Sequence, residues 1–224
     1  ALRGSVLSTG QACQSIERIY IDRPRYDEFV EILARKADKT RLNHPDIDKG
    51  EIGPIIFDRQ AEILKRHIDD ARSKGARILT GGEIEHHGGG LWLRPTVIAD
   101  VDHTMLVMRE ETFGPVMPVM AYDDIEDAIR LANDTEYGLS AAAFAGAVDE
   151  AEAIGRRLNA GAVSLNDAAL TAQFHEAEKQ SFGLSGLGPS RMGAAGFQRF
   201  FRRKALIANH GRPAPISAFA EDAN

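Results

Sequence analysis

Cysteine is almost absent from this sequence: Cys13 is the only one among its 224 residues. A single thiol excludes an internal disulfide framework and favours a reducing, cytoplasmic setting. No apolar run approaches the roughly 18 residues that a membrane-spanning helix needs. No charged and then apolar leader precedes a small-residue cleavage site, so nothing predicts secretion. Together these absences predict a cytoplasmic protein that does not enter a membrane.

Basic residues are not in excess either. The chain has 27 Lys and Arg against 33 Asp and Glu, a net charge of −6. Because a nucleic-acid backbone is bound by a clustered basic face, this balance argues against a nucleic-acid partner. The apolar share of 43% is that of an ordinary globular protein. An initiator Met is also lacking, and the start at Ala1 therefore predicts a piece of a longer protein.

The hydrophobic pattern alternates between strands and helices. Apolar β-branched runs predict strands at 16–22, 76–82, 95–101, 114–122, 140–146 and 160–166. Helical spacing predicts helices at 26–39, from Asp58 to a stop at Gly75, and at 124–133, 149–158 and 194–202. Strands that alternate with helices of about ten residues favour a mostly parallel sheet covered on both faces. The predicted fold is therefore a three-layer α/β/α domain.

The pattern breaks down between residues 167 and 193, where Gly, Ser and other polar residues predominate. A loop of this length inside a compact domain indicates a functional role. Its glycines, in "SFGLSGLGPSRMG" (181–193), match neither of the usual phosphate-binding signatures, so we interpret them as turn glycines. The polar tail after the last predicted helix is expected to be ordered only against a partner.

Cys13 has two interpretations. Free cysteine is among the residue types most often buried, so the simpler interpretation is a small core side chain. The segment "TGQACQS" (9–15) makes a poor apolar stripe, however, because Gln11, Gln14 and Ser15 surround the thiol. That setting favours a nucleophile without establishing one.

Two other motifs could carry chemistry. In "MREETFGPVMPV" (108–119) a carboxylate could accept hydrogen bonds from ribose hydroxyls, and the Phe113 ring could pack on a sugar or nicotinamide. The alternative interpretation of this segment is a solvated acidic loop followed by a Phe that packs in the core, and the same spacing fits it. In "HHGGG" (86–90) adjacent imidazoles cannot easily bind one ion, and no Cys or third His follows at ligand spacing. We expect a surface turn there and no metal site.

The order of the motifs resembles one known family. "GQAC" (10–13) with Arg18 five residues on, "EETFGPVMPV" (110–119), "ANDTEYGLSAAAF" (132–144) and "NAGAVSLND" (159–167) follow one another at the spacing of the NAD(P)-dependent aldehyde dehydrogenase superfamily. The loop at 181–193 resembles the Phe-Gly and Ser-Gly loop near the end of its catalytic domain. The resemblance covers nearly the whole chain.

The resemblance implies that Cys13 is the catalytic thiol, which attacks the aldehyde carbon to form a thiohemiacetal. Hydride then passes to NAD(P)+, and the resulting thioester is hydrolysed. It also implies that Glu111 holds the nicotinamide-side ribose and that Phe113 packs beside it. Gln60 lies where some members touch the cofactor. Asn166, at the end of its strand, is expected to be structural.

The resemblance further implies what this chain does not carry. The family's dinucleotide-binding domain, its general-base segment and the Asn of its oxyanion hole all lie upstream of the cysteine. We therefore expect residues 1–203 to form the catalytic domain, and residues 204–224, including "KALIAN" (204–209), to form a C-terminal strand and tail that serves as an oligomerisation arm. The chain alone is expected to be inactive, and the full-length enzyme to be a homodimer or homotetramer using NAD or NADP.

Substrate choice and two other functions stay open at this point. The size of the aldehyde is expected to depend on Ala12, Gln14 and the 167–181 loop, with Phe174 lining the tunnel. A cysteine-dependent hydrolase or acyltransferase would pair Cys13 with one of the seven His residues, although none lies in a motif that suggests it. A non-catalytic interaction fragment is the third possibility.

Overall fold

The computed structural model describes residues 1–190 and 192–219, and the α/β fold is confirmed. The strands are β1 (Ile19–Asp22), β2 (Arg77–Ile78), β3 (Ile84–His87), β4 (Gly90–Leu93), β5 (Thr96–Ala99), β6 (Val116–Tyr122), β7 (Tyr137–Gly138), β8 (Ala141–Ala143), β9 (Val163–Leu165) and β10 (Phe182–Gly183). The α-helices are α1 (Leu2–Val6), α2 (Arg23–Asp38), α3 (Asp58–Ser73), α4 (Ile125–Asn133), α5 (Val148–Gly155), α6 (Leu170–Gln173) and α7 (Gly193–Gln198). Short 3-10 turns cover Leu7–Gly10, Leu106–Met108 and Ile216–Phe219.

The central sheet has four strands in the order β1-β6-β5-β2. β6 is parallel to both β1 and β5, whereas the short edge strand β2 is antiparallel to β5. All four residues of β5 are buried, as are the first four of β6. Strands buried in this way are continuous apolar runs, which is why the sequence pattern identified them.

Both faces of this sheet are covered, so the predicted three-layer arrangement is present. Because side chains alternate along a strand, Val97 packs into one apolar cluster while its neighbour Ile98 packs into the other. Helix α2 supplies Val30 and Leu33 to the first cluster, which also holds Trp92. Helix α3 supplies Leu64, Ile68 and Ala71 to the second cluster.

Helix α2 begins at Arg23, three residues before the predicted start at residue 26, and it ends at Asp38, whereas α3 runs from Asp58 to Ser73, close to its predicted bounds. α2 has Pro24 in its first turn, where the missing N–H costs nothing. α3 begins at Asp58, and its end is followed by Gly75, whose φ of +95° suits glycine. These ends fix the loop 39–57 between the helices, which contacts the site described below.

Residues after Tyr122 form smaller units outside the central sheet. Helix α4 begins with the Asp124 side chain accepting a hydrogen bond from the Glu126 N–H, as a helix cap does. β8 and β9 form a parallel pair packed by α5, and β7 pairs antiparallel with β10. The strands predicted at 140–146 and 160–166 therefore exist, but they pair with each other and not with the strands of the four-stranded sheet.

Several predicted boundaries are wrong. The first strand begins at Ile19, not residue 16, because the side chains of Glu17 and Arg18 bind other loops and the backbone before Ile19 has no strand partner. The last helix ends at Gln198, not residue 202. The "HHGGG" segment is a hairpin in which His86 and His87 belong to β3 and Gly90 begins β4.

The C-terminal segment also differs from the prediction. Residues 204–209 have no regular secondary structure and are exposed. The polar loop at 167–193 contains α6 and β10, while its Arg191 lies outside the described residues, as do 220–224 of the predicted tail. None of the described helices is both long and apolar enough to cross a bilayer.

Candidate active site

Cys13 lies on an exposed turn of the nucleophile segment, which we define as residues 7–15. The thiol is free and exposed, so the interpretation of a buried core cysteine is wrong. The segment has unusual backbone geometry: φ is +54° at Ser8, +61° at Thr9 and +67° at Gly10. Such left-handed residues are strained unless their surroundings hold them in place, and they occur often at functional sites.

Contacts with the loop after α2 hold the nucleophile segment in place. The Thr9 hydroxyl accepts the Gly53 N–H at 2.8 Å. The Gln11 amide donates to the Pro54 carbonyl and accepts the Ile56 N–H, both at 3.0 Å. Thr9 and Gln11, which precede Cys13, are therefore both bonded to the backbone of loop 39–57. These bonds fix the turn that presents the thiol.

Gly10 brings this segment against a second loop, the 110–115 loop. A Cβ at Gly10 would lie 2.2 Å from the Gly114 carbonyl oxygen, so no other residue fits without backbone movement. In this loop Glu111 is exposed, Thr112 is buried and Phe113 has φ +51°. The predicted nucleophile and the two predicted cofactor residues Glu111 and Phe113 thus lie on two loops in direct contact.

Three side chains hold the 110–115 loop. The Glu17 carboxylate accepts the Thr112 and Phe113 N–H groups, one on each oxygen, at 2.8 Å. Gln60 donates its amide to the Thr112 carbonyl at 2.6 Å. The buried His67 ring is bonded to the Thr112 hydroxyl through Nδ1 at 3.2 Å and to Glu110 through Nε2 at 3.2 Å. Gln60 therefore reaches the loop that carries the predicted cofactor residues by binding its backbone.

Burial governs the charge of two of these groups. It raises the pKa of Glu17 to about 7, with the nearby Glu111 carboxylate acting in the same direction. The two backbone N–H groups and Arg18 oppose that shift because they favour the charged form. Burial also lowers the pKa of His67, against the pull of Glu110, so the ring is neutral at pH 7.

Sequence reasoning missed Glu17, Thr112 and His67. Glu17 stands beside Arg18 just before β1, where adjacent charged residues indicate an ordinary solvated pair, so it carried no signal of its contact with the 110–115 loop. His67 carried no such signal, because it occupies an inward position of α3 that only the fold identifies as facing Thr112.

A cleft of about 380 Å³ is lined in part by Gln14, the residue after Cys13, and by Lys179, Pro189 and Arg199, whereas Cys13 itself is not among its lining residues. Lys179 is buried, and its ammonium group donates to the Thr171 carbonyl. Phe174, predicted to line a tunnel, is 57% exposed and is not among the lining residues. Asn166 has φ +52°, and its side chain accepts the Ala145 N–H at 2.9 Å, a backbone-shaping contact.

The His residues have partners elsewhere. His67 binds Thr112, the His103 ring is bonded to Tyr20 and Asp134, and His87 is bonded to Glu85. Across residues 1–190 and 192–219, no hydrogen bond joins the Cys13 sulfur to an imidazole. The same part of the chain holds no group of three His, Cys, Asp or Glu side chains that could bind a metal ion. The contacts a Cys–His hydrolase needs are therefore not formed here.

Comparison with known proteins identifies the architecture. Residues 1–206 match the model of the aldehyde dehydrogenase family. The chain belongs to that family. It is 36% identical over 207 residues to a protein of Mycobacterium ulcerans named as a putative succinate-semialdehyde dehydrogenase (NADP+), and the match covers 92% of this chain and 40% of that protein. A 4,4'-diapolycopene aldehyde oxidase of Methylomonas is 33% identical over 92% of this chain and 36% of its own length.

Solved structures agree with this assignment. The chain superposes on the aldehyde dehydrogenase PutA of Anabaena variabilis, itself described as putative, with a TM-score of 0.91 and 54% identity, over 96% of this chain and 46% of that one. Betaine aldehyde dehydrogenase of Staphylococcus aureus gives a TM-score of 0.85 at 30% identity, over 98% of this chain and 44% of its own length. The chain thus spans less than half the length of these relatives.

Proposed function

We propose that the complete protein oxidises an aldehyde to a carboxylic acid with NAD(P)+, and that Cys13 is its nucleophile. One observation carries the proposal: in a chain of this family, the only thiol is exposed on a turn whose backbone contacts the loop of Glu111 and Phe113. A covalent oxidation needs the nucleophile beside the group that receives the hydride, and the contact between these two loops supports that role for Cys13.

Cys13 is the proposed reacting residue of this chain. A free thiol is only a few per cent thiolate at neutral pH, so the proton of Cys13 must leave to a base before attack. The sulfur then bonds to the aldehyde carbon while the carbonyl electrons move to oxygen, where the Cys13 backbone N–H can donate a hydrogen bond. When the oxyanion re-forms the carbonyl, the carbon bonded to Cys13 loses a hydride and a thioester remains on Cys13; a nicotinamide held by Glu111 and Phe113 would be the acceptor of that hydride. Water then cleaves the thioester on Cys13 and releases the acid and the thiol.

Glu111 and Phe113 are the proposed contacts to the cofactor. The Glu111 side chain is exposed, and its carboxylate accepts no hydrogen bond from any residue of 1–190 and 192–219. A carboxylate with unused acceptors fits the paired hydroxyls of a ribose. Phe113 is half-buried and supplies a flat apolar face next to it. Gln60 remains a proposed cofactor residue as well, acting from its position on the Thr112 carbonyl.

Substrate, assembly and setting belong to the same proposal. The names of the relatives suggest an aldehyde that carries a second functional group, such as a semialdehyde, and the relatives include enzymes named for NADP as well as a complex with NAD. We propose residues 1–203 as the catalytic domain, and 204–224 as an arm that pairs with a partner subunit in a homodimer or homotetramer. An exposed thiol nucleophile also favours a reducing cytoplasm.

The test is NADH or NADPH formation by the complete protein from a panel of neutral and carboxylate-bearing aldehydes. Cys13→Ala and this 224-residue chain alone are run beside it. We expect turnover only in the complete wild-type protein, because Cys13→Ala removes the nucleophile and the chain alone spans under half of its relatives.

Thiol labelling supplies the second arm of this test. An activated Cys13 should react with iodoacetamide well below pH 8, whereas an ordinary thiol labels faster only as the pH approaches its usual pKa near 8.5. Rapid labelling without formation of either reduced cofactor would contradict the oxidation and favour acyl transfer. Slow labelling and no turnover would favour the non-catalytic fragment.

A further inference from the structure

The Glu17 carboxylate links the two loops of the candidate site. Glu17 is four residues after Cys13, and its two oxygens bind the consecutive N–H groups of Thr112 and Phe113. Thr112 and Phe113 directly follow Glu111. One side chain from the stretch between Cys13 and β1 therefore holds the backbone of the loop that carries both proposed cofactor residues. The two bonds are equal in length, 2.8 Å, and both lie within the range for charge-assisted hydrogen bonds.

Only a carboxylate fits this position well. Two adjacent N–H groups need two acceptor oxygens on one rigid planar group, and a glutamine would place an NH₂ against one of the donors. The held backbone is also strained, because Phe113 has φ +51°. A non-glycine residue in the left-handed region persists when its surroundings over-determine it. Gln60 and His67 add restraint at Thr112, but Glu17 alone among them binds the Phe113 N–H.

We propose that Glu17 is a positioning residue, which sets the distance between the Cys13 thiol and the cofactor by fixing the 110–115 loop against the stretch of chain that joins Cys13 to β1. This inference rests on the function proposed above for Cys13, Glu111 and Phe113. It assigns Glu17 no contact with the substrate or the cofactor. Its effect is expected in cofactor binding, because the loop it holds carries the cofactor residues.

The charges around Glu17 support a positioning role over an ion-pair role. No Lys, Arg or His nitrogen of the described residues lies within 4 Å of its carboxylate, and its strongest polar contacts are the two backbone N–H groups. Arg18, its neighbour, instead donates to the Ala132 and Asp134 carbonyls. Burial raises the pKa of Glu17, and the Glu111 carboxylate acts in the same direction as a like charge.

The experiment compares Glu17→Ala, Glu17→Gln and wild type in the complete protein. Hydrogen exchange should become at least about tenfold faster at the Thr112 and Phe113 amides of Glu17→Ala, since both lose a charged acceptor. The KM for the nicotinamide cofactor should rise about tenfold or more, with the KM for aldehyde within about twofold. Glu17→Gln should restore part of both effects, because its carbonyl still accepts one of the two N–H groups.

Asp124→Ala is the control. Asp124 also accepts a backbone N–H through its carboxylate, that of Glu126 at 3.0 Å, but it caps helix α4 and belongs to neither loop of the candidate site. We expect this variant to leave the cofactor KM unchanged. Equal effects of Glu17→Ala and Asp124→Ala on the cofactor KM, or unchanged exchange at Thr112 and Phe113, would overturn the proposal. If the complete protein oxidises no aldehyde, the proposed function fails, while amide exchange and cofactor titration still decide the role of Glu17.

Discussion

The first 122 residues and the residues after Tyr137 are stabilised in different ways. The first region has two apolar clusters, one on each face of the central sheet, with fully buried Leu64, Ile98 and Met117. In the second region the buried apolar side chains among the described residues are alanines, at positions 143, 151 and 169. Several of its large apolar side chains are exposed, among them Phe144, Phe174 and Leu187. Sequence pattern identifies elements in both regions, but only the first builds a deep core from them.

This contrast bears on where the candidate site is anchored. The nucleophile segment and the 110–115 loop both lie in the first region, where the former is bonded to loop 39–57 and the latter to Gln60 and His67 of α3. The cleft beside Gln14 takes several of its other walls from the second region, including Lys179 and Arg199. The proposed nucleophile and cofactor residues therefore belong to the region with the deep core, and much of the cleft wall belongs to the more weakly packed region.

The largest effect is expected from breaking the loop contact of the first region. Gly10→Ala places a Cβ 2.2 Å from a backbone oxygen at a φ of +67°, and should destabilise the fold by about 4 kcal/mol or more. Gly75→Ala is the control, since Gly75 has a similar positive φ but no atom within 4 Å of the added Cβ. Backbone strain alone should cost about 1 kcal/mol there. Urea denaturation measures both, and equal losses would contradict the contact.

The second effect compares core depth in the two regions. Ile98→Ala truncates a fully buried side chain of β5 that packs in the cluster of α3. It should lower the free energy of unfolding by about 2–5 kcal/mol. Leu187→Ala removes a fully exposed side chain and should change it by less than about 0.5 kcal/mol. A large loss at Leu187 would show that the second region is covered in solution. Guanidinium unfolding of both variants, with light scattering to follow association, makes that measurement.

The third prediction concerns how the folding stability of the first region depends on pH, and its expected effect is smaller. The folded pKa of Glu17, about 7, lies above its usual 4.5, so the folded state binds the proton more tightly than the unfolded state. The stability of wild type should therefore fall as pH rises from 4.5 through 7, relative to Glu17→Gln, which does not titrate. Unfolding midpoints at pH 4.5, 6 and 8 measure the difference between the two proteins. A constant difference would show that the pKa of Glu17 is not raised.

The smallest effect is expected on the surface of the second region. Arg157 forms an exposed ion pair with Glu126. Exposed pairs of this kind contribute little, because water and salt screen them. The thermal midpoint of Arg157→Ala should match that of wild type within error, at both low and high salt. A drop that is equally large at low and high salt would mean that this pair is shielded from solvent.

Some features of the fold and the candidate site could be predicted from the sequence, and others could not. The layers, α3 and the strands β5 and β6 were predictable because apolar residues recur at the helical and strand periods. Cys13, Glu111 and Phe113 came from motif resemblance, and their roles stay predictions. Glu17 could not be assigned from sequence, because its function depends on two backbone N–H groups 95 and 96 residues away. Non-local pairing of this kind leaves no periodic trace.

The position of Trp92 decides what an optical experiment will see. It is the sole tryptophan of the chain, it is packed in the cluster of α2 on one face of the central sheet, and its indole N–H donates to the His87 carbonyl at 3.1 Å. Intrinsic fluorescence excited at the indole band therefore reports on the first region alone. A loss of order confined to residues 137–219 would be silent in that signal, and circular dichroism would record it as a separate transition.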